Sequence, residues 1–276
     1  MEDALPVTGE PPARHAAAHP HRTRRPRARL SPLTVIGELL LVSGAAILGF
    51  FGWQDYHTLV TVTAEQQQLA GQDSARWQAE SEAHAGNDAG SEGAENGEIP
   101  VTGPVAEGEV FGVLYIPAMG KNFAYRVAEG THQATVLSAA DKGIGRYPST
   151  QLPGEPGNMA VAAHRSGPWI TPFREVMDLR LGDPLYLETA EGWYTYRFRS
   201  LEYALPNEVD VLNPVPRMSV DAGEDRILTL TTCHPKANGT AERAIAYAVL
   251  DGFRARAAGP PPALVEANTN VAKEAA

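Results

Sequence analysis

The sequence predicts a mainly β domain behind a single membrane-crossing helix and a flexible stalk, and three observations predict it. Short apolar runs bounded by Gly, Pro or Asn recur through the second half, as strands of a closed or sandwiched sheet do. Near the N-terminus one long stretch is apolar throughout, and the segment after it is almost without large apolar side chains. The 276 residues, 43% of them hydrophobic, suit one ordinary domain with appendages.

In chain order, residues 1–32 form an arm carrying Arg14, Arg22, Arg24, Arg25, Arg27 and Arg29. Residues 33–53 follow as the span, with Glu38 its one charge, long enough to cross roughly 30 Å of hydrocarbon as a helix. Beyond it come Glu65, Asp73, Glu80, Glu82, Asp88, Glu92, Glu95 and Glu98. The positive-inside bias therefore places the arm in the cytoplasm and the rest outside, as a single-pass cell-membrane protein. A cleaved signal peptide is the competing reading, against which stand the length of the arm and of the apolar run.

The net charge of -10 argues against a nucleic-acid surface. The basic arm has a sufficient explanation in orientation and in contact with anionic membrane lipid. Residues 54–101 are read as an acidic flexible stalk, with helix as an alternative near the membrane, because Ala, Gly, Glu, Gln, Ser and Asp dominate from Ala64 and Trp77 is the lone aromatic between there and Glu98. Like charges extend such a stalk.

Residues 102–256 are read as the domain. Strand patterns cover Val110 to Ile116, Phe123 to Val127, Met159 to Ala163, Leu185 to Glu188, Trp193 to Glu202, Ile227 to Thr232 and Arg243 to Leu250. Thr131 is placed to cap a short helix over Gln133 to Ala140, and Ile170, Phe173, Val176 and Met177 fall at helical spacing. The tail, residues 257–276, reads as disordered and has no second span.

The single cysteine, Cys233, excludes an intrachain disulfide and any multi-cysteine metal site. It ends the run ILTLTTC, where a rigid strand enters a turn. A catalytic thiol needs a basic partner or a cationic environment. His164 ends a second strand-like run, NMAVAAH, and Arg243 opens the last strand. If the two strands joined by the loop HPKANGTAE pair, Arg243 returns beside the thiol. An imidazole exchanges protons and a guanidinium stabilises an oxyanion. On spacing alone, a packed core cysteine, a surface histidine and a solvated edge arginine stay open.

ILTLTTCHP followed by Arg243 resembles the TLxTC signature and downstream arginine of sortases, the membrane-anchored cysteine transpeptidases of Gram-positive bacteria. GRYPSTQLPGEPGNMAVAAHRSGPWITPFREVMDL is similar to the family's histidine region, and TTCHPK with DVLNPVP resembles the class E branch of high-GC actinobacteria. Two positions depart from the pattern: Ala163 stands where class E often has Gly, and the interval from Cys233 to Arg243 is one residue longer than the commonest.

The resemblance implies a closed sortase barrel and a catalytic set of Cys233, His164 and Arg243. It implies attack of Cys233 on the Thr–Gly bond of an LAxTG or LPxTG signal in a secreted protein, a thioacyl enzyme, and transfer to a cell-wall precursor amine of the lipid II type or to a pilin lysine. No metal or cofactor is called for. Class E membership implies a preference for LAxTG. In this reading Thr231 and Thr232 bind substrate and support the site through their hydroxyls, with Val211, Leu212 and Pro214 of the loop from Leu205 to Met218 walling the signal groove. His234 is a neighbour on the opposite strand face.

Two internal motifs look like signals. LPVTG at Leu5 to Gly9 precedes the basic arm, on the wrong side of the membrane, and reads as coincidence. IPVTG at Ile99 to Gly103 lies just before the domain, and one expectation is that it visits the groove as a pseudo-substrate. Rival functions are a purely hydrolytic cysteine protease and a non-catalytic surface module. An L,D-transpeptidase is disfavoured, because Ser-x-Gly-Cys is missing around Cys233.

Overall fold

The computed structural model describes residues 31–87, 99–167, 170–236 and 241–274. Most of the basic arm, the LPVTG motif and residues 88–98 of the expected stalk lie outside the described residues. The chain divides into two units, residues 1–49 and residues 50–276.

One helix, α1 (Pro32–Asn87), begins in the first unit and ends in the second. Its part Pro32–Trp53 has a mean hydropathy of 2.0 and is long and apolar enough to cross a membrane.

The second unit is built on eight strands, β1 (Val110–Tyr115), β2 (Tyr125–Glu129), β3 (Ile144–Arg146), β4 (Gly157–Ala163), β5 (Pro184–Thr189), β6 (Gly192–Ala204), β7 (Arg226–His234) and β8 (Glu242–Ala255). They close into a barrel in the order β1-β2-β3-β4-β7-β8-β6-β5, with β1 pairing back onto β5. The β2–β3 and β4–β7 pairs are parallel and the others antiparallel. Side chains alternate between faces. Met159, Val161 and Ala163 of β4, Leu228 and Leu230 of β7, and Ala244, Ala246 and Ala248 of β8 belong to the core.

Seven of the eight strands coincide with apolar runs of the sequence, while β3 has no such signal. It is three residues long, and its Arg146 is buried in a two-pronged bond to Glu129 of β2, at 2.7 and 2.8 Å. The expected helix over Gln133 to Ala140 is shorter, a π-helical turn over Gln133–Leu137 capped by the backbone of His132 rather than by Thr131. Packing against β3 shapes it: a Cβ at Gly145 would lie 2.2 Å from the Gly130 carbonyl oxygen and 2.9 Å from Val136. Ile170, Phe173 and Val176 are buried as expected, but Met177 is exposed and helix is confined to Val176–Asp178.

The stalk and tail differ most from expectation. Residues 54–87 continue α1, and one face of it docks on the barrel. Gln66 accepts a bond from the Arg126 amide and donates to the Ala140 carbonyl. Asp73 pairs with Arg126 at 2.6 Å, Ser74 donates to Glu188 at 2.6 Å, and Trp77 is buried. The tail folds as α2 (Pro262–Ala267) and α3 (Thr269–Glu274). Leu264 and Val271 join Trp77, Tyr115, Tyr186 and Trp193 in one apolar cluster. The expected disorder rested on scarce apolar surface, whereas this face is filled by matched hydrogen bonds around a few apolar anchors.

The IPVTG segment is also built in. The Pro100 carbonyl accepts a bond from Tyr194 at 2.8 Å, the Thr102 amide bonds to Pro153 at 3.0 Å, and the Thr102 hydroxyl donates to Glu191 at 3.1 Å. These partners sit at the barrel end where β7 begins and β6 starts. Cys233 is at the far end of β7, roughly 23 Å along the strand. In this structure the segment is therefore seated at the opposite pole from Cys233, and the expected visit to the groove would require it to leave these bonds.

Candidate active site

Register collects the three reactive residues. Cys233 of β7 pairs directly with Arg243 of β8, so the longer interval between them leaves the arginine opposite the thiol. On the other side of β7 the parallel pairing with β4 reaches Ala162 opposite Thr231. Two residues further along each strand, His164 comes level with Cys233. Because Leu228, Leu230 and Thr232 alternate inward, Thr231 and Cys233 face out. The same alternation turns Ala162 and His164 outward from β4. The three side chains thus share the outer face at one end of three adjacent strands.

The end of β4 is fixed by bonds from β7. Thr232 donates to the Ala163 carbonyl at 2.7 Å and Thr231 to the Val161 carbonyl at 3.2 Å. Thr232 is turned inward, so it supports the backbone leading to His164 instead of meeting substrate, a correction to its expected place. Thr231 stays on the outer face, its hydroxyl 3.1 Å from the Tyr147 hydroxyl.

His164 is half-buried, and burial lowers its pKa from the ordinary 6.5. Its Nε2 lies 3.1 Å from the Ser138 hydroxyl, and its carbonyl accepts a bond from the Phe173 amide at 3.2 Å. Cys233 is partly exposed. Arg243 donates one bond to the adjacent Glu242 carbonyl at 3.1 Å. His234 follows the alternation to the opposite face, where its Nδ1 meets Arg165 at 2.9 Å and its ring lies against Tyr203 at 4.2 Å.

The loop after β6 walls this face. Val211 is buried against Ala204 and Ile245, with Leu212 alongside, while Pro214 is exposed. Buried Asn158 on β4 donates to the carbonyls of Val211 and Asn213, each at 3.1 Å, and accepts from Thr229 at 2.6 Å. Arg217 clamps the loop through Glu202 at 3.0 Å, Glu208 at 3.0 Å and Asp210 at 2.8 Å, from a left-handed backbone with φ of 68°. Burial pushes the Glu202 carboxyl up, but bonds from Arg217 and Tyr247 outweigh it and hold the group below its ordinary value. Lys236 bonds Glu175 at 2.8 and 2.9 Å, joining the segments that follow β7 and β4.

Among the described residues no group of three or more His, Cys, Asp and Glu side chains is arranged to hold a metal ion. What the site offers is a thiol, an imidazole and a permanent cation in line across three strands, suited to acyl transfer. Ser138, Tyr147, Asn158, Arg165 and Arg217 had no role in the sequence reading. The turn YPST and the GN pair pointed to Tyr147 and Asn158 only as part of a motif, and nothing pointed to Ser138.

A family model described as "Sortase domain" matches residues 114–251. Over 262 residues the chain is 31% identical to Sortase SrtE1 of Streptomyces coelicolor, covering 92% of this chain and 67% of that protein. The SrtA sortase from Actinomyces oris superposes with a TM-score of 0.54 at 33% identity, over 60% of this chain and 93% of that one. Sortase E from Streptomyces avermitilis gives 0.50 at 38% identity, over 58% and 99%.

Proposed function

The chain belongs to the sortase family of transpeptidases, on the class E side, and from that premise we propose that it cuts an LAxTG-like signal between Thr and Gly and passes the protein to an amine. The observation that carries this reading is the direct pairing of Cys233 with Arg243, with His164 the residue that follows the end of the neighbouring strand. The Cys233 thiolate attacks the threonine carbonyl carbon, and Arg243 stabilises the oxyanion. As the tetrahedral adduct collapses the C–N bond breaks, and His164 gives its proton to the departing glycine amine. A thioester on Cys233 remains. The incoming amine attacks it, loses a proton to His164, and expels the thiolate.

Val211 and Leu212 flank the signal, Thr231 lies on the groove floor, and Pro214 stands at the outer rim. The apolar span anchors the protein in the cell membrane with its arm in the cytoplasm. Its partners on this reading are secreted proteins bearing LAxTG or LPxTG signals, and either a cell-wall precursor amine or a pilin lysine.

The test is full-length protein in detergent, wild type and Cys233→Ala, incubated with LAxTG and LPxTG peptides with and without a glycine-type amine. Mass spectrometry of the products should give cleavage after Thr, amide formation when amine is present, and neither with Cys233→Ala. Acid product alone, at every amine concentration, would make the protein a hydrolase. Folded wild type inert toward both peptides would overturn the signal assignment.

A further inference from the structure

The Ser138 hydroxyl 3.1 Å from Nε2 of His164 comes from a part of the chain that carries none of the three reactive residues. Ser138 ends the π-helical turn Gln133–Leu137, and its amide closes that turn on the Gln133 carbonyl at 2.7 Å. Val136 of the turn is fully buried, and Gly143 donates back to its carbonyl at 3.0 Å. The next residues are held from α1 and β2: Gln66 donates to the Ala140 carbonyl, and Arg126, itself paired with Asp73, donates to the Asp141 carbonyl at 2.8 Å. The hydroxyl is thus fixed in place by groups outside the site, as a positioning group must be.

We propose that Ser138 is the positioning residue of His164, engaging Nε2 so that proton exchange with the reacting groups falls to Nδ1. With Nδ1 exchanging the proton, Nε2 keeps its N–H and donates it to the hydroxyl oxygen whether His164 is neutral or charged. A ring that must take and give a proton in one turnover keeps its orientation in both states. The bond is stronger when the imidazolium donates it, so the hydroxyl also favours the charged form of a group that burial disfavours. Among the described residues, the titratable and charged groups at this end of the barrel include Cys233 on β7, Arg243 on β8, and Arg165 paired with His234 beyond the strand ends.

This inference rests on the proposed acid–base role of His164, and its test needs no substrate. In the full-length protein in detergent micelles, 15N-labelled histidine resonances of His164, assigned by their loss in His164→Gln, report titration midpoint and tautomer. Ser138→Ala should lower the midpoint by about half a pH unit, and Ser138→Asp should raise it, since a carboxylate favours the imidazolium. Ser138→Thr should restore the wild-type value. Opposite shifts from two substitutions of similar size are what a merely structural role would not produce. A midpoint and tautomer unchanged in both Ser138→Ala and Ser138→Asp would overturn the proposal, whatever the peptide assays give. Shifts as expected in an enzyme that transfers no peptide would leave Ser138 in place and sink the acyl-transfer reading instead.

Discussion

Arg256 and Arg165 are both buried guanidiniums of the same barrel, and their surroundings differ. Under α1, Arg256 pairs with Glu188 at 3.1 Å, donates to the carbonyls of Thr189 and Ala190, and lies 4.7 Å from the Trp193 ring and 5.6 Å from that of Trp77. Glu188 in turn accepts from Ser74 and from Tyr115, at 2.6 and 2.7 Å. At the end that carries Cys233, Arg165 meets His234, and its Nε has no hydrogen-bond partner among the described residues although the residue is buried. Fully matched polar groups specify one arrangement. The barrel thus has one face whose buried polar groups are matched throughout, and an opposite end where, on the proposed function, the chemistry takes place.

Substitutions at the two regions should separate along that line. Arg256→Met leaves Glu188 buried without its cation and should destabilise the fold by about 3–5 kcal/mol. Thermal unfolding in detergent checks it, with turnover well below the melting temperature close to wild type. Arg243→Ala at the reactive end should do the reverse, lowering kcat about 100- to 1000-fold with little change in melting. Equal stability losses at both sites would erase the contrast.

Smaller effects sharpen it. Arg217→Ala frees the loop that carries Val211 and should raise KM for the signal peptide about three- to tenfold, with kcat within about twofold. Glu202 is held below its ordinary value, so the clamp is intact at neutral pH and is lost as the pH falls through the lowered value. The smallest effect is in the pH profile. Burial lowers the pKa of His164, so the imidazolium that donates the proton is lost as the pH rises through that lowered value, and the His164 titration seen in kcat/KM should have its midpoint below 6.5. A midpoint above 6.5 would mean that a neighbouring negative charge outweighs burial.

How much of this was legible follows from which physical signal each part uses. β7 alternates Leu with Thr and β8 is an unbroken apolar run from Ala244 to Leu250, so both read as strands, and their pairing through a short loop, with Arg243 opposite Cys233, was readable. The docked face of α1 also has a period, Gln66, Ala70, Asp73 and Trp77 at helical spacing, but half of it is polar. A hydrophobic pattern is silent where hydrogen bonds do the matching. Leu264 and Val271 in the tail are too few to stand out until Trp77 and Trp193 are brought to them. Thr232 was misplaced because strand propensity does not say which face a threonine takes, and Ser138 is one serine in a loop with no motif around it.

The most direct test of the central claim, that strand register assembles the acyl-transfer site on Cys233, is to trap the intermediate. Full-length protein in detergent would be quenched in acid during turnover of an LAxTG peptide without amine, then digested and mapped by mass spectrometry. The account predicts a thioester on Cys233, carrying the peptide up to its threonine, that builds up in wild type and vanishes on adding amine. An acyl group on any other residue, or amide product formed at the wild-type rate by Cys233→Ala, would contradict it.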